Sequence, residues 1–338
     1  MAATIKDIAR ALNISTSTVS YALNGGPRKV PASVRDRVLR TAQELNYRPN
    51  RVAKSLVMRR SFTLGVLPTE ATENLAVVPY FEQCFNGIIN EAEVKEYDVL
   101  VYSRFSQGAD TEQVLASLLD GRADGIVLIA PLVDTPVLRE LQFRNIPHSV
   151  VNSMVEGSVC YSCDNSSGVR LAVEHLYSLG HRKIGHLAGR QSLQDGIERK
   201  EAFIQVMRDF ELEVRPEWIL DTDFSPNIGR MRAKEIFAMD DLPTALFCAN
   251  DEIAVGVYQA AWELDISIPE NMSVVGFDNS SLSTVMLPAL TTVRQPVSAM
   301  GSEAVRGLLA QIEGQPIASR RFETELVVRS STSPPKNS

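Results

Sequence analysis

From about residue 62 the chain alternates short apolar runs with longer stretches of helical periodicity, a pattern that calls for parallel sheets covered by helices. "FTLGVL", "DVLVYS", "GIVLIA" and "HSVV" read as strands, with helices near 80–95, 111–121 and 135–144 between them. A second series, "KIGHLAG", "WILDTDF", "TALFCAN" and "SVVGFD", is separated by helices near 166–179, 195–210, 226–239 and 251–264. The fold class is α/β, with two doubly wound parallel-sheet lobes in one chain. Two such lobes usually enclose a ligand where the loops at the mouths of their strands converge. Asp278 ends one strand there, Asn250 and Asp251 end another, Phe224 closes "TDF", and Arg199 lies in the helix after "HLAG". A carboxylate, an amide, an aromatic face and a guanidinium suit a polyhydroxylated or heterocyclic small molecule, although Asp251 reads equally as a helix cap.

The first 61 residues have a different character. They carry twelve basic and three acidic residues, a net of +9, within a chain whose overall charge is −7. A basic head on an acidic body predicts a head that meets phosphates and a body whose field discourages indiscriminate contact. Thr4 and Asp7 form a capping-box pattern, and Ile5, Ile8, Ala9 and Leu12 then share a helical face. Ser15 can cap a second helix in which Val19 and Leu23 point inward, while Thr16, Ser17, Ser20 and Tyr21 face mostly out. Asn24 and Gly25 end it. A third helix, Pro31 to Leu45, offers Val34, Val38, Ala42 and Leu45 as its inner stripe. Two short helices joined tightly and braced by a third make an all-α helix-turn-helix, whose second helix presents its N-terminal side chains to a major groove. Small hydroxyls there allow close approach and bond to phosphates and base edges.

The segment "RPNRVAKSLVMRR" follows. Asn50 can cap a helix after Pro49, but "RVAKSLV" is barely two turns long and too short to hold by itself. Val52 and Leu56 lie at i, i+4, so two such segments can pair their apolar faces. Leu56 reads either as a packing residue or as a wedge between base steps.

Several classes are disfavoured. GxGxxG, GK[ST], GxSxG and HExxH motifs do not occur, and nothing gathers serine, histidine and acid into one place. A doubly wound small-molecule enzyme and an exported sugar-binding protein are the rival readings, and neither explains the basic head. No cofactor and no metal site are expected. The four cysteines suit free thiols, and in the strand-like "SVCYSCD" Cys160 and Cys163 face opposite ways. His148, His175, His181 and His186 read as structural. The start "MAATIKDIAR" lacks an apolar export segment, and no long apolar run suggests a membrane partner, so a cytoplasmic protein is expected. The tail "VVRSSTSPPKNS" has no heptad leucines to build a further bundle.

"TIKDIARALNISTSTVSYALNG", "LNYRPNRVAKSL" and "LGVLP" resemble the lactose repressor and galactose repressor (LacI/GalR) family, and the likeness continues through "HLYSLGHRKIGHLAG", "PTALFCANDEIAVGV", "SVVGFDN" and "PALTTVRQP". The resemblance implies a homodimeric transcription repressor that binds a near-palindromic double-stranded operator, with a small-molecule effector in a periplasmic-binding-protein-like core. A sugar or sugar derivative is the favoured effector and a purine the alternative. It further implies DNA contacts from Thr4, Ser15, Thr16, Ser17, Thr18, Tyr21 and Asn24, and from hinge residues Asn50, Val52, Ala53 and Leu56, the last inserting at the central base step. Tyr21 stands where many relatives have arginine, so the bidentate arginine contact to guanine is lost here. Arg199, Phe224, Asn250 and Asp278 match effector-contacting positions, joined by Tyr80, Phe81, Gln295, Asn152 and Asp164. The expected organisation is a head at 1–47, a hinge at 48–61 and a core at 62–332, with a disordered tail at 333–338. Within the core, one lobe takes about 62–162 and 293–320, the other about 163–292 and 321–332.

Overall fold

The computed structural model describes residues 3–24, 29–48, 55, 58, 60–68, 78–102 and 110–336, which fall into two compact units divided after Ser61. The first holds the helices α1 (Ile5–Leu12), α2 (Thr16–Asn24) and α3 (Ala32–Glu44). The Asp7 carboxylate accepts from the Thr4 amide at 2.9 Å and from its hydroxyl at 2.7 Å, closing the first turn of α1. Asn13, with φ 51°, ends that helix in the left-handed conformation that asparagine tolerates. The Ser15 hydroxyl then accepts the Thr18 amide at 3.1 Å and starts α2. Ile8, Ala9, Val19, Ala22, Val38 and Ala42 form the core of this unit. Leu45, expected on the inner stripe of α3, is 39% exposed. The helix stops before it, and Tyr47 packs on the core in its place, its amide bonded to the Ala42 carbonyl at 2.8 Å.

The second unit contains two six-stranded sheets among the described residues. In the first lobe, β1 (Thr63–Pro68), β2 (Asp98–Val101), β3 (Gly125–Ile129), β4 (His148–Val151) and β5 (Val159–Cys163) alternate with α4 (Pro79–Val94), α5 (Thr111–Leu118) and α6 (Pro136–Phe143). The second lobe runs α7 (Asn165–Ser178), β6 (Ile184–Ala188), α8 (Gln194–Asp209), β7 (Ile219–Asp221), α9 (Pro226–Phe237), β8 (Ala245–Cys248), α10 (Asp251–Glu263), β9 (Ser273–Asp278), α11 (Leu282–Val285) and β10 (Thr291–Arg294). The chain then returns through α12 (Val297–Ile312) and β11 (Arg320–Phe322) in the first lobe to β12 (Glu325–Val327) in the second. Strand orders are β11-β5-β4-β3-β1-β2 and β12-β10-β9-β8-β6-β7, all parallel except β12 against β10. Both lobes therefore wind the same way and reverse direction beside their first strand, at β1/β3 and at β6/β8.

Each sheet is apolar on both faces, as helices on either side require. In β3, Val127 and Ile129 join one cluster with α4 and α12, while Ile126 and Leu128 join another with α5 and α6. In β8, Ala245 and Phe247 meet α8, and Leu246 and Cys248 meet α9 and α10. Cys160 and Cys163 lie on opposite faces of the first sheet, as alternation predicts.

The sheets exchange the chain between Cys163 and Asn165, between Arg294 and Val297, and between Phe322 and Glu325. Thr291–Arg294 thus belongs entirely to the second lobe, a correction to the expected return near 293. Over its described part, 333–336, the expectation of a disordered tail is also corrected. Ser331 is fully buried, and Ser333 bonds Ser273 and His181, because the chain here crosses the starts of β9 and β10 and satisfies their polar groups. Helix α12 escapes the sequence reading altogether. Among the described residues no helix is long and apolar enough to cross a membrane.

Candidate functional sites in the head and in the interlobe cleft

On α2 the hydroxyls divide into two sets. Ser15 and Thr18 bond each other at 2.8 Å and serve the helix start. Thr16 and Ser17 are exposed, and Tyr21, one turn on, is half-buried. Thr4 is committed to Asp7. Lys6, Arg10, Arg35, Arg37 and Arg40 are exposed on the same unit. The side chain of Asn24, together with Asn50, Val52, Ala53 and Leu56, lies outside the described residues.

In the second unit the β6/β8 reversal is where an open parallel sheet places a ligand. Arg199 reaches it from α8 and is 2% exposed. Its Nη1 donates to the Ala249 carbonyl at 2.6 Å, just past the end of β8, and its Nε donates to Asn165 Oδ1 at 2.8 Å. Asp278 lies 3.5 Å from Nη1 and Asp195 lies 3.7 Å from Nη2. The guanidinium also covers the Phe277 ring at 3.8 Å. Burial works against the Arg199 charge, but the two carboxylates hold its pKa above the usual arginine value. Burial in turn pushes the Asp195 carboxyl up to about 6 and raises that of Asp278, with the Arg199 charge pulling both back.

Around this pair the other expected residues take their places. Gln295 Nε2 donates to Asp278 at 2.5 Å. Asn152 Nδ2 donates to Asp195 across the lobes. The Tyr80 phenol is buried in the field of Asp195 and Asp278, with Phe81 edge-on to it at 5.5 Å between centroids. Asn250 caps α10, accepting the Ile253 amide at 2.8 Å, and donates to the Phe224 carbonyl at 3.2 Å. The Phe224 ring lies over Gly189 just past the end of β6, where a Cβ would come within 2.0 Å of it, so a side chain at 189 would have to displace the ring. Asn152, Phe224 and Asp278 all have positive φ (66°, 69° and 107°), a concentration of backbone strain that marks functional loops.

Two residues, Asp164 and Asp251, behave differently from expectation. The Asp164 carboxylate caps α7, accepting the Ser167 amide at 3.0 Å. Its neighbour Asn165 enters the network instead, donating to Asp195 at 2.9 Å and to Glu198 at 2.8 Å. Asp251 is not the cap of α10. It accepts the Ser280 amide at 2.7 Å and the Thr292 hydroxyl at 2.5 Å, pinning the loop that carries Asp278. Sequence reasoning missed Asp195, although its i, i+4 spacing to Arg199 on one helix was a usable signal. It also missed Asn165, Glu252 and Ser280, whose part depends on the tertiary fold.

Residues 4–50 match the model of bacterial regulatory proteins of the lacI family, and residues 173–332 match a periplasmic binding protein-like domain. The HTH-type transcriptional repressor PurR of Serratia proteamaculans is 33% identical over 96% of this chain and 93% of its own. The chain belongs to the lacI family. The ribose operon repressor of Haemophilus influenzae is 32% identical over 92% of each. Among solved structures, the lac repressor dimer bound to operator and the anti-inducer ONPF is 26% identical, with a TM-score of 0.86 over 98% of this chain and 100% of that one. As a lacI-family member this protein is a transcription regulator with a DNA-binding head and a ligand-binding core.

Proposed function

We propose that the protein is a cytoplasmic repressor that binds a near-palindromic operator as a homodimer, and that a small sugar-like effector in the interlobe cleft alters that binding. The observation that carries this is the buried Arg199 with its two carboxylates at the β6/β8 reversal, in a chain whose basic head exposes Thr16 and Ser17 on α2. Thr16, Ser17 and Tyr21 read bases, while Ser15 and Thr18 maintain the helix that presents them. Arg199, Asp278, Gln295, Asn152, Asn250, Tyr80, Phe81 and Phe224 hold the effector, a sugar or sugar derivative, with a purine as the alternative. Asp164 acts from behind, as the cap of α7. Leu56 is the wedge at the central base step. No catalytic step is assigned to any residue.

The test pairs two variants in fluorescence anisotropy on the promoter fragment nearest the protein's own coding region. Thr16→Ala with Ser17→Ala is expected to weaken binding by about 10-fold or more, at about 1–3 kcal/mol for each lost base contact. Arg199→Ala is expected to abolish the ligand's effect on DNA affinity. A normal ligand response in Arg199→Ala removes the cleft from the account, and unchanged DNA affinity in the α2 variant removes the base readers.

A further inference from the structure

Around the interlobe ion pair six buried side chains carry polar atoms that make no hydrogen bond to the described residues: Tyr80 Oη, Asn152 Oδ1, Arg199 Nη2, both carboxylate oxygens of Glu252, Ser280 Oγ and Gln295 Oε1. Orphaned buried polar atoms are rare in folded proteins, and their gathering around one ion pair marks a place built for a ligand. Their chemistry is lopsided. Asn152 and Gln295 each turn their NH2 toward a carboxylate, Asp195 and Asp278 respectively, which fixes the amide orientation and leaves the carbonyl oxygen free. With the two oxygens of Glu252, that makes four acceptor atoms against a single dedicated donor, Arg199 Nη2. Tyr80 and Ser280 can serve in either sense.

The charges lean the same way. Glu252 is 5% exposed in the first turn of α10, where its carboxyl feels Asp278, Asp251 and Arg199. Asp195, Glu252 and Asp278 thus stand near one guanidinium, which Asp195 and Asp278 already neutralise, with Asp251 in the field of Asp278 and Glu252. Protonation of Glu252 converts one oxygen into a donor, yet leaves the cleft without any surplus positive charge.

We infer that the effector is an uncharged molecule rich in hydroxyl or N–H donors, and that Glu252 is a specificity residue that accepts from it and excludes its phosphorylated or carboxylated counterparts. This rests on the cleft being the effector site. An anion there would meet unpaired acceptors in a desolvated space with no cation left over to balance it.

The experiment compares matched ligands on the full-length protein at pH 7.5, first by thermal shift and then by calorimetric titration: D-ribose, D-glucose, cellobiose and guanosine against ribose 5-phosphate, glucose 6-phosphate, cellobionate and guanosine 5'-monophosphate. At least one uncharged compound is expected to bind, with its anionic partner at least about 100-fold weaker. Glu252→Gln is expected to narrow that gap by about 10-fold, chiefly by admitting the anion. An anion that binds wild type as tightly as its uncharged partner, no binding by any uncharged compound, or the same gap in a folded Glu252→Gln protein overturns the inference. The wild-type comparison stands even where the variant does not fold. Arg199→Gln separates the two layers of the claim. If the uncharged ligand binds that variant undiminished, the cleft is not the effector site. If binding weakens while the anion competes equally in wild type, charge selection alone is wrong.

Discussion

Asp251 carries a pH dependence that can be measured. It is wholly buried behind the Asn250 cap, and burial, with Asp278 nearby, pushes its carboxyl up to about 7 from an ordinary value of 3.8. Between about pH 4 and 7 the folded chain keeps a proton there that the unfolded chain has released, so this residue's contribution to stability declines as pH rises through that window. His186 acts in the opposite sense. Buried and stacked between Phe203 and Phe247, its imidazole is lowered to about 4, so the unfolded chain binds the proton first and stability falls as pH drops from 6.5. The two effects partly cancel in wild type, and a difference measurement separates them. Urea titrations of wild type and Asp251→Asn from pH 4 to 7 are expected to show wild type losing ground to the variant as pH rises. A constant difference contradicts the buried, proton-holding assignment.

Two elements deserve separate tests. On α2, Ser15→Ala is expected to cost about 1 kcal/mol of head stability through loss of the cap, whereas Thr16→Ala is expected to leave stability unchanged and weaken DNA binding. Melting and anisotropy on both variants check the division. In the first lobe, α4 and α12 approach so closely that a Cβ at Gly87 would lie 1.9 Å from the Ser298 carbonyl oxygen, and one at Gly301 would lie 2.5 Å from that of Cys84. Gly87→Ala is therefore expected to lose at least about 1–3 kcal/mol by forcing the helices apart, and an unchanged urea midpoint contradicts this. The same pair shows where sequence reading stops. Strands such as "GIVLIA" and helices such as Ile5–Leu12 were legible because their periodicity is local. Helix α12 is not legible in the same way, and the helical spacing that puts Leu45 on the inner stripe does not reveal that α3 ends before it. Arg199 and Asp278 were legible from their strand-mouth positions and the family motif. Asn165, Glu252 and Ser280 were not, because only the tertiary packing of the second lobe brings the starts of α7 and α10 and the loop after β9 to one place.

At the scale of the whole molecule, the division of charge assigns the work. A head of net +9 in a chain of net −7 binds phosphates through the head and repels them elsewhere, so DNA affinity is expected to fall steeply with salt. Because both ligands act on one folded chain, any effect of effector on DNA must be matched by an effect of DNA on effector. Calorimetric titration of the uncharged ligand into full-length protein, with and without the promoter fragment, tests this reciprocity most directly. The two ligand constants are expected to differ by about 5- to 150-fold, with the same factor in DNA affinity with and without ligand. Equal ligand constants in the presence and absence of DNA would contradict the account.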